Sequence, residues 1–506
     1  MYQIEQQHVE QESIMKQMRS YVEGEALSEQ IHKVEFSVFK LLLRLGLSLL
    51  KEVVARRGNG KCGSELRLEG GMAIPYHSEK KRSYLSIFGW VEITRAYYWQ
   101  KGETGCYPLD EQMNLPQRAY SYLLDQWVDL NVIDEAYDKG IAKIARIFDL
   151  EIWKRGQEDV VQEVAVGVRA FYQQKAAPQV VVEGPVLCAT ADCKGVRMVP
   201  SEKPEQLPVE EQSAKPRREK GDKRAGLRRD AVVTSDFSFI PQARTAEELT
   251  DALMKMRTKD EIQAERETRR ERKERGEKEP RSALNKQVMA SMQGKEVAFK
   301  DLLDRLHKRD PEVKKQIFIL LDGAPSLKER LLEEIQNRGW EKRIAGICLD
   351  IIHVQEYLWD AGTALHGEKS PERVPWVREK TLALLQGKVG RVIGGLRQIL
   401  TKGNEELKSS QKQTLNRTIK YFDNHREMME YDKYLAAGYP IATGVIEGAC
   451  NSLVKDRTDG SGMRWTKAGA QAVLDLRAVH QNEDWDAYWQ YHIQCEHDRR
   501  YARLAS

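Results

Sequence analysis

Three acidic residues stand where a carboxylate could do chemistry. Asp192 closes the apolar run LCATAD, Asp322 closes IFILLD and is followed by Gly323-Ala324-Pro325, and Glu447 lies within VIEGACNSLV. An ionised carboxylate beside a hydrophobic sheet is costly unless it is paired or bound to a metal. Three of them brought together repel one another unless a divalent cation joins them, and oxygen donors suit Mg²⁺ or Mn²⁺. Two such ions, about 3.5–4 Å apart, activate a nucleophile and stabilise the leaving oxygen in phosphoryl transfer. Each acid also has an ordinary structural reading, because Asp after a strand favours turns and helix N-caps. Residue types alone do not bring the three together in space.

The surroundings of Glu447 add weight to function. Ile446, Cys450, Leu453 and Val454 make the apolar side of a helix, with Pro440 and Thr443 near its start. Glu447 and Asn451 are four apart and share another face. Gly444 and Gly448 flank the acid at helical spacing, where a missing side chain lets a backbone or a nucleic acid come close.

The elements that must position these acids read as strand–helix units. Residues 184–200 read as a buried strand ending in a polar turn, and AVVTSDFSFI as another strand. QIFILLD at 316–322 and RIAGICLD at 343–350 are continuous apolar runs ending in an acid, the pattern of strands buried on both faces. The helix IIHVQEYLWDAGTALHG follows the second, residues 370–437 are helical in pattern, and a further helix lies beyond Trp465. This predicts an α/β domain, a mixed sheet flanked by helices, over 184–365 and 439–482, with a charged insertion at 201–285, an all-helical insertion at 366–438 and a tail at 483–506.

Three regions precede it. Residues 1–60 are helical, with Phe36, Phe39, Leu43, Leu47, Leu50 and Val54 on one face and Gly58-Asn59-Gly60 as a stop. Residues 61–112 form a small β-rich region around SYLSIFGWVEITRAYYW. Residues 113–180 are helical and resemble a helix-turn-helix. Ala136, Ile141, Ile144 and Ala145 line its first helix, Phe148-Asp149-Leu150 makes the turn, and the second helix starts at Glu151 with Trp153, Lys154 and Arg155 in its first turn. A plain helical hairpin fits the same pattern.

Composition narrows the classes. The 506 residues carry 81 basic and 77 acidic side chains, a net charge of +4, so any affinity for nucleic acid must come from local patches. One such patch, Lys215–Arg229, holds eight basic residues against two acidic ones. The charged stretch from Lys255 to Arg281 interleaves its signs, as a solvated helical arm does. Lys40, Arg44 and Lys51 interrupt the longest apolar stretch, which excludes a membrane span there, and the polar N-terminus has no signal-peptide core. Seven scattered cysteines give neither a disulfide framework nor a zinc ribbon, so no zinc is expected and a reducing cytoplasm fits.

The segments ATADCKGVRM, LLDGAPSL, LDIIHVQEYLW and AAGYPIATGVIEGACNSLVKDRTDGSGMRW resemble the ISKra-type insertion-sequence transposases of bacteria. These are DDE enzymes of the RNase H-like superfamily, related to the Mutator group. The resemblance runs from SIFGWVEITRAYY to GMRW and is most specific in its last block. It implies an RNase H-like catalytic domain in which Asp192, Asp322 and Glu447 are the catalytic acids and hold two Mg²⁺ or Mn²⁺ ions. It also implies a supporting role for Asp350 and His353, which resemble the Asp-or-Cys, two residues, His signature of Mutator relatives, and for Asn451 beside Glu447.

The activity implied is cleavage at the ends of an insertion sequence, followed by attack of the freed 3′-hydroxyl on target DNA. Lys154 and Arg155 would read the terminal inverted repeats. Arg217 and Arg218, with Lys455, Arg464 and Trp465, would contact DNA, and Trp359 or Trp465 would stack on an unpaired base. Two ends must meet, so a homodimer or higher oligomer on DNA is expected, associated with the nucleoid and not with a membrane. Cys193 stands where glycine is expected after the first acid, and SDFSF is less apolar than expected. The alternatives are a transposase-derived DNA-binding regulator without catalysis, and an RNase H-like nuclease without strand transfer.

Overall fold

The computed structural model describes residues 2–68, 71–153, 156–179, 182–199, 228–254, 283–402, 407–442, 444–460 and 462–502, with isolated positions between 263 and 275. The chain divides into two compact units, residues 1–173 with 483–506, and residues 174–482.

In the first unit, the helical region expected over 1–60 is broken. Gly24 and the short turn after it separate Tyr2–Glu23 from Ile31–Arg57, and the two helices pack on each other. Val54 of the expected apolar face is buried, but Phe36 is 61 % exposed. The β-rich region forms an antiparallel sheet of β1 (Glu65–Arg67), β2 (Ala73–Ser86) and β3 (Gly89–Tyr98). Helices Tyr122–Val132, Tyr137–Phe148 and Gln157–Ala165 follow. Residues from 483 onward, expected as a tail, contain the helix Trp485–Tyr501. Its Tyr501 packs with Leu66, Ile74, Ala96 and Tyr98 and donates to the Leu115 carbonyl at 2.9 Å.

The second unit is mixed α/β, as expected. Its sheet holds five strands in the order β6-β5-β4-β7-β8: β4 is Val186–Arg197, β5 Arg228–Phe239, β6 Leu284–Ser291, β7 Gln316–Leu321 and β8 Ile344–Leu349. β5 runs antiparallel to β4 and β6, while β4, β7 and β8 are parallel to one another. Every residue from Ile317 to Leu321 is buried, as the unbroken apolar run of β7 requires of a strand covered on both faces. The helices Arg373–Leu385, Val389–Lys402, Ser409–Asn424 and Tyr431–Ala436 make the expected helical block. One continuous apolar core joins it to the sheet, from Leu187 and Phe318 to Leu384, Leu415 and Phe422.

Helix Lys295–Arg309 is fixed to β5 by charge. Arg305 and Arg309 reach the two carboxylate oxygens of Asp236 at 2.6 and 2.9 Å, and Arg309 also pairs with Glu183 at 2.7 Å. Asp236 is wholly buried, and a charge there is tolerated only because two guanidinium groups meet it. Among the described residues, no helix is long and apolar enough to cross a membrane.

Candidate functional site

Register brings the acids together. Ala191 of β4 lies beside Leu321 of β7, and Leu321 lies beside Leu349 of β8. The next residue on each strand is an aspartate, so Asp192, Asp322 and Asp350 stand in a row across three adjacent parallel strands. Neighbouring strands lie about 4.8 Å apart, which sets the scale of this row. One expectation is corrected: Asp192 does not end its strand. β4 continues five residues to Arg197, because β5 still pairs with it after β7 has stopped.

Each aspartate is held locally. The Cys193 amide donates to Asp192 Oδ1 at 2.6 Å, and the Ala324 amide donates to Asp322 Oδ1 at 2.9 Å. Asp350 is wholly buried and caps helix Ile351–His366 by accepting from the Ile352 amide at 2.9 Å. That helix carries His353 in its first turn. The loop after Asp322 is clamped from the helical block. Tyr421 donates to the Asp322 carbonyl at 2.9 Å, and His425 lies 2.7 Å from the Gly323 carbonyl. Gly323 has φ +91°, and a Cβ there would come within 2.7 Å of Leu349 and 2.9 Å of the Tyr421 hydroxyl, so this turn needs glycine.

Glu447 approaches from the short helix Gly444–Ala449. The continuous helix expected around it is instead interrupted by a π-helical turn over Cys450–Lys455, a feature common at functional sites. Cys450, in that turn, lies close to Asp192, and burial, with that carboxylate adding, pushes its thiol pKa up. Burial pushes the Cys193 thiol up to about 12, with Asp230 adding to it. Both thiols are neutral near pH 7.

Glu447, Asp350 and His353 each offer an atom within 4.8 Å of the others, a set that could hold a metal ion. His353 Nε2 lies 3.9 Å from Glu447 Oε1, and Nδ1 lies 3.4 Å from Glu356. Burial raises the Asp322 carboxyl pKa above the ordinary value; the Ala324 amide opposes this and Asp192 adds to it. Burial also raises Glu447, with Asp350 adding and His353 opposing. Burial disfavours a charged His353, but Asp350, Glu356 and Asp322 outweigh it and hold the imidazole above its usual pKa. Among the described residues, no Lys or Arg makes an ion pair with Asp192, Asp322 or Glu447. The site is therefore a concentration of negative charge with oxygen donors and one ring nitrogen, which fits a divalent cation.

The other expected residues fall in different places. Asn451, Lys455 and Arg464 are exposed. Trp465 is a correction: it is 8 % exposed, bridged to Met198 and stacked under the Arg457 guanidinium at 4.5 Å, so its ring is covered and is not offered to a base. Trp359 is half-buried beneath Arg373. The helix-turn-helix expectation is also corrected. Asp149 ends the first helix in the left-handed conformation, the second helix begins at Gln157, and Glu151–Trp153 are loop, with Trp153 67 % exposed. Lys154, Arg155, Arg217 and Arg218 lie outside the described residues, as do 201–227 and most of the arm at 255–281.

Sequence reasoning missed Tyr421, His425 and Cys450. Cys450 was read only as part of a buried helix face, and nothing local marks the other two, because their partners lie about a hundred residues away. Comparison with known protein families and with curated proteins returns no match for this chain.

Proposed function

We propose that this chain is a DNA transposase of the DDE type with an RNase H-like catalytic domain, acting on the ends of an insertion sequence. The observation that carries the reading is the row Asp192, Asp322, Asp350 on adjacent parallel strands, faced by Glu447, with no basic side chain paired to Asp192, Asp322 or Glu447 among the described residues. A mixed sheet flanked by helices, with a helical block inserted before the glutamate, supports it.

Asp192, Asp322 and Glu447 would hold Mg²⁺ or Mn²⁺ ions, which supply Lewis-acid stabilisation and a nucleophile at neutral pH. The protein's own part is positioning. The amides of Cys193 and Ala324 and the Tyr421 clamp fix the two aspartates, and the helix bearing Glu447 closes the site from one side. Water would hydrolyse the phosphodiester at the element's end, leaving a 3′-hydroxyl. That hydroxyl would attack a target phosphodiester, with the target's own 3′-oxygen leaving. Lys455 and Arg464 are exposed cations on the same segment as Glu447 and would meet phosphates. A dimer or larger assembly would bring two ends together.

The test is strand transfer by the purified protein, with labelled duplexes bearing the element's ends, a target plasmid and Mg²⁺ or Mn²⁺. Joined products that vanish in Asp192→Ala, Asp322→Ala and Glu447→Ala, while end binding persists, are expected. Cleavage without joining would replace this reading with a nuclease, and tight binding without chemistry would replace it with a regulator.

A further inference from the structure

Resting on that reading of the site, we infer that the two cation seats differ chemically: Asp192 and Asp322 form an oxygen-only seat, and Asp350, His353 and Glu447 form a second seat with a nitrogen ligand. The second seat prefers a first-row transition ion such as Mn²⁺ over Mg²⁺. His353 is then a metal ligand and not only a support.

Geometry carries the argument. The three donors come from a strand end, the first turn of the helix it starts, and a separate helix, yet their ligand atoms lie within 4.8 Å of one another. Three cis or trans ligands around one ion of about 2.1 Å radius of coordination fall within that span. The His353 ring is oriented for the task. Its Nδ1 faces Glu356 at 3.4 Å, and its Nε2 faces Glu447 at 3.9 Å, too far for a hydrogen bond. A histidine that gives one ring N–H to a carboxylate and turns its other nitrogen toward further donors is arranged as metal-bound histidines are. The set also has no other counter-charge for Glu447: among the described residues, its ion-pair partner is His353. Imidazole raises affinity for transition ions along the Irving–Williams order, whereas Mg²⁺ keeps to oxygen and dehydrates reluctantly.

The test uses the full chain without DNA. Mn²⁺ is titrated in and followed by electron paramagnetic resonance, with pulsed measurement of ¹⁴N coupling, then displaced with Mg²⁺. Wild type is expected to show ¹⁴N coupling from a bound ion, and Mg²⁺ to displace the oxygen-seat Mn²⁺ first. His353→Gln should lose the coupling while one Mn²⁺ remains bound and thermal unfolding is unchanged. Asp350→Asn should weaken the nitrogen-coupled ion by at least about tenfold, the loss that even outer partners of a metal ligand cause. Absence of Mn²⁺ binding, bound Mn²⁺ without ¹⁴N coupling, or coupling that survives His353→Gln would each overturn the inference. The outcome is separable from the functional reading. Coupled Mn²⁺ without strand joining would reject the transposase alone, and joining with uncoupled Mn²⁺ would reject the second seat alone.

Discussion

Two groups of carboxylates in the same unit are treated in opposite ways. Asp236, within β5, and Glu183, just before β4, are met by Arg305 and Arg309 at hydrogen-bond distance. Asp192, Asp322, Asp350 and Glu447 lie where β7 and β8 stop, and His353 is the ion-pair partner of Glu447 there. The fold can supply arginines to buried acids, and it does so one helix away. Among the described residues none is paired with Asp192, Asp322 or Glu447, a charge that a cation from solution could meet. The first group is structure, and the second is a stored electrostatic demand.

The comparison would be broken first by activity. Asp322→Asn or Glu447→Gln should lower strand cleavage about a thousandfold or more, in line with the removal of charge-stabilising groups from a preorganised site. Neither should weaken the metal-free fold, because each removes repulsion. Asp236→Asn should do the reverse. It takes the close charged partner from buried Arg305 and leaves Arg309 with Glu183 alone, and should cost about 3–5 kcal/mol in denaturant unfolding. Equal stability losses in both groups would erase the distinction.

A third kind of carboxylate sharpens it. Asp125 and Asp129 lie four apart on helix Tyr122–Val132, both buried, and Asp125 Oδ1 has no hydrogen-bond partner among the described residues. Burial pushes Asp125 up to about 7, and burial with Asp125 beside it raises Asp129 well above the ordinary value. A carboxyl raised in the folded state keeps its full contribution below the unfolded pKa and loses it as pH rises through the folded one. Asp125 should therefore be neutral at pH 5 and costly at pH 8. Asp125→Asn should stabilise the protein at pH 8 by up to about 4 kcal/mol, taking about 1.4 kcal/mol per pKa unit, and by no more than about 2 kcal/mol at pH 5, where the unfolded carboxyl is already ionised. Thermal unfolding at the two pH values measures this.

The same sign applies at the sheet edge. Asp322 and Glu447 are raised by burial first and by neighbouring carboxylates after it, and His353 is raised by its acidic neighbours against burial. Each contribution is complete below the group's ordinary pKa and falls away as pH rises above it. Cations compete with those protons. At a hundredfold excess over its pH 8 Kd, Mn²⁺ should stabilise the fold by about 2.7 kcal/mol at pH 8 and by less at the same concentration at pH 5, read as a larger rise in unfolding temperature. A shift independent of pH would mean that the ion binds elsewhere.

How far the sequence could be read follows from what each feature depends on. β7 and β8 were legible because a run such as QIFILL has no polar break and is bounded by acids and turns. Asp322 and Asp350 were legible as residues after strands, and Glu447 as an acid within a helix. Their meeting was not, since it depends on β4, β7 and β8 being neighbours across more than a hundred residues. The end of β4 was misplaced because Asp192 looks like a terminator, while pairing with β5 holds the strand open to Arg197. Trp465 was misassigned because indole suits a buried site as well as a base platform, and Arg457 together with the bridge to Met198 decides for burial. The π-turn after Glu447 has no signature among Cys450, Asn451 and Ser452.

The smallest effect expected tests how the helical block serves the acids. Tyr421 stacks on Tyr357 with centroids 3.9 Å apart and planes 8° apart, and its hydroxyl donates to the Asp322 carbonyl. Tyr421→Phe keeps the stack and removes the donor. The carbonyl it leaves is on a turn whose Gly323 carbonyl is still met by His425 at 2.7 Å, so the loop should loosen and not detach. One hydrogen bond is worth about 1 kcal/mol net. The expected outcome is a cleavage rate lowered less than about tenfold, with a higher Mg²⁺ concentration needed for half the maximal rate. A rate loss as large as that of Asp322→Asn would place Tyr421 among the reacting groups. An unchanged Mg²⁺ requirement would mean that the block stabilises the core without positioning the aspartate.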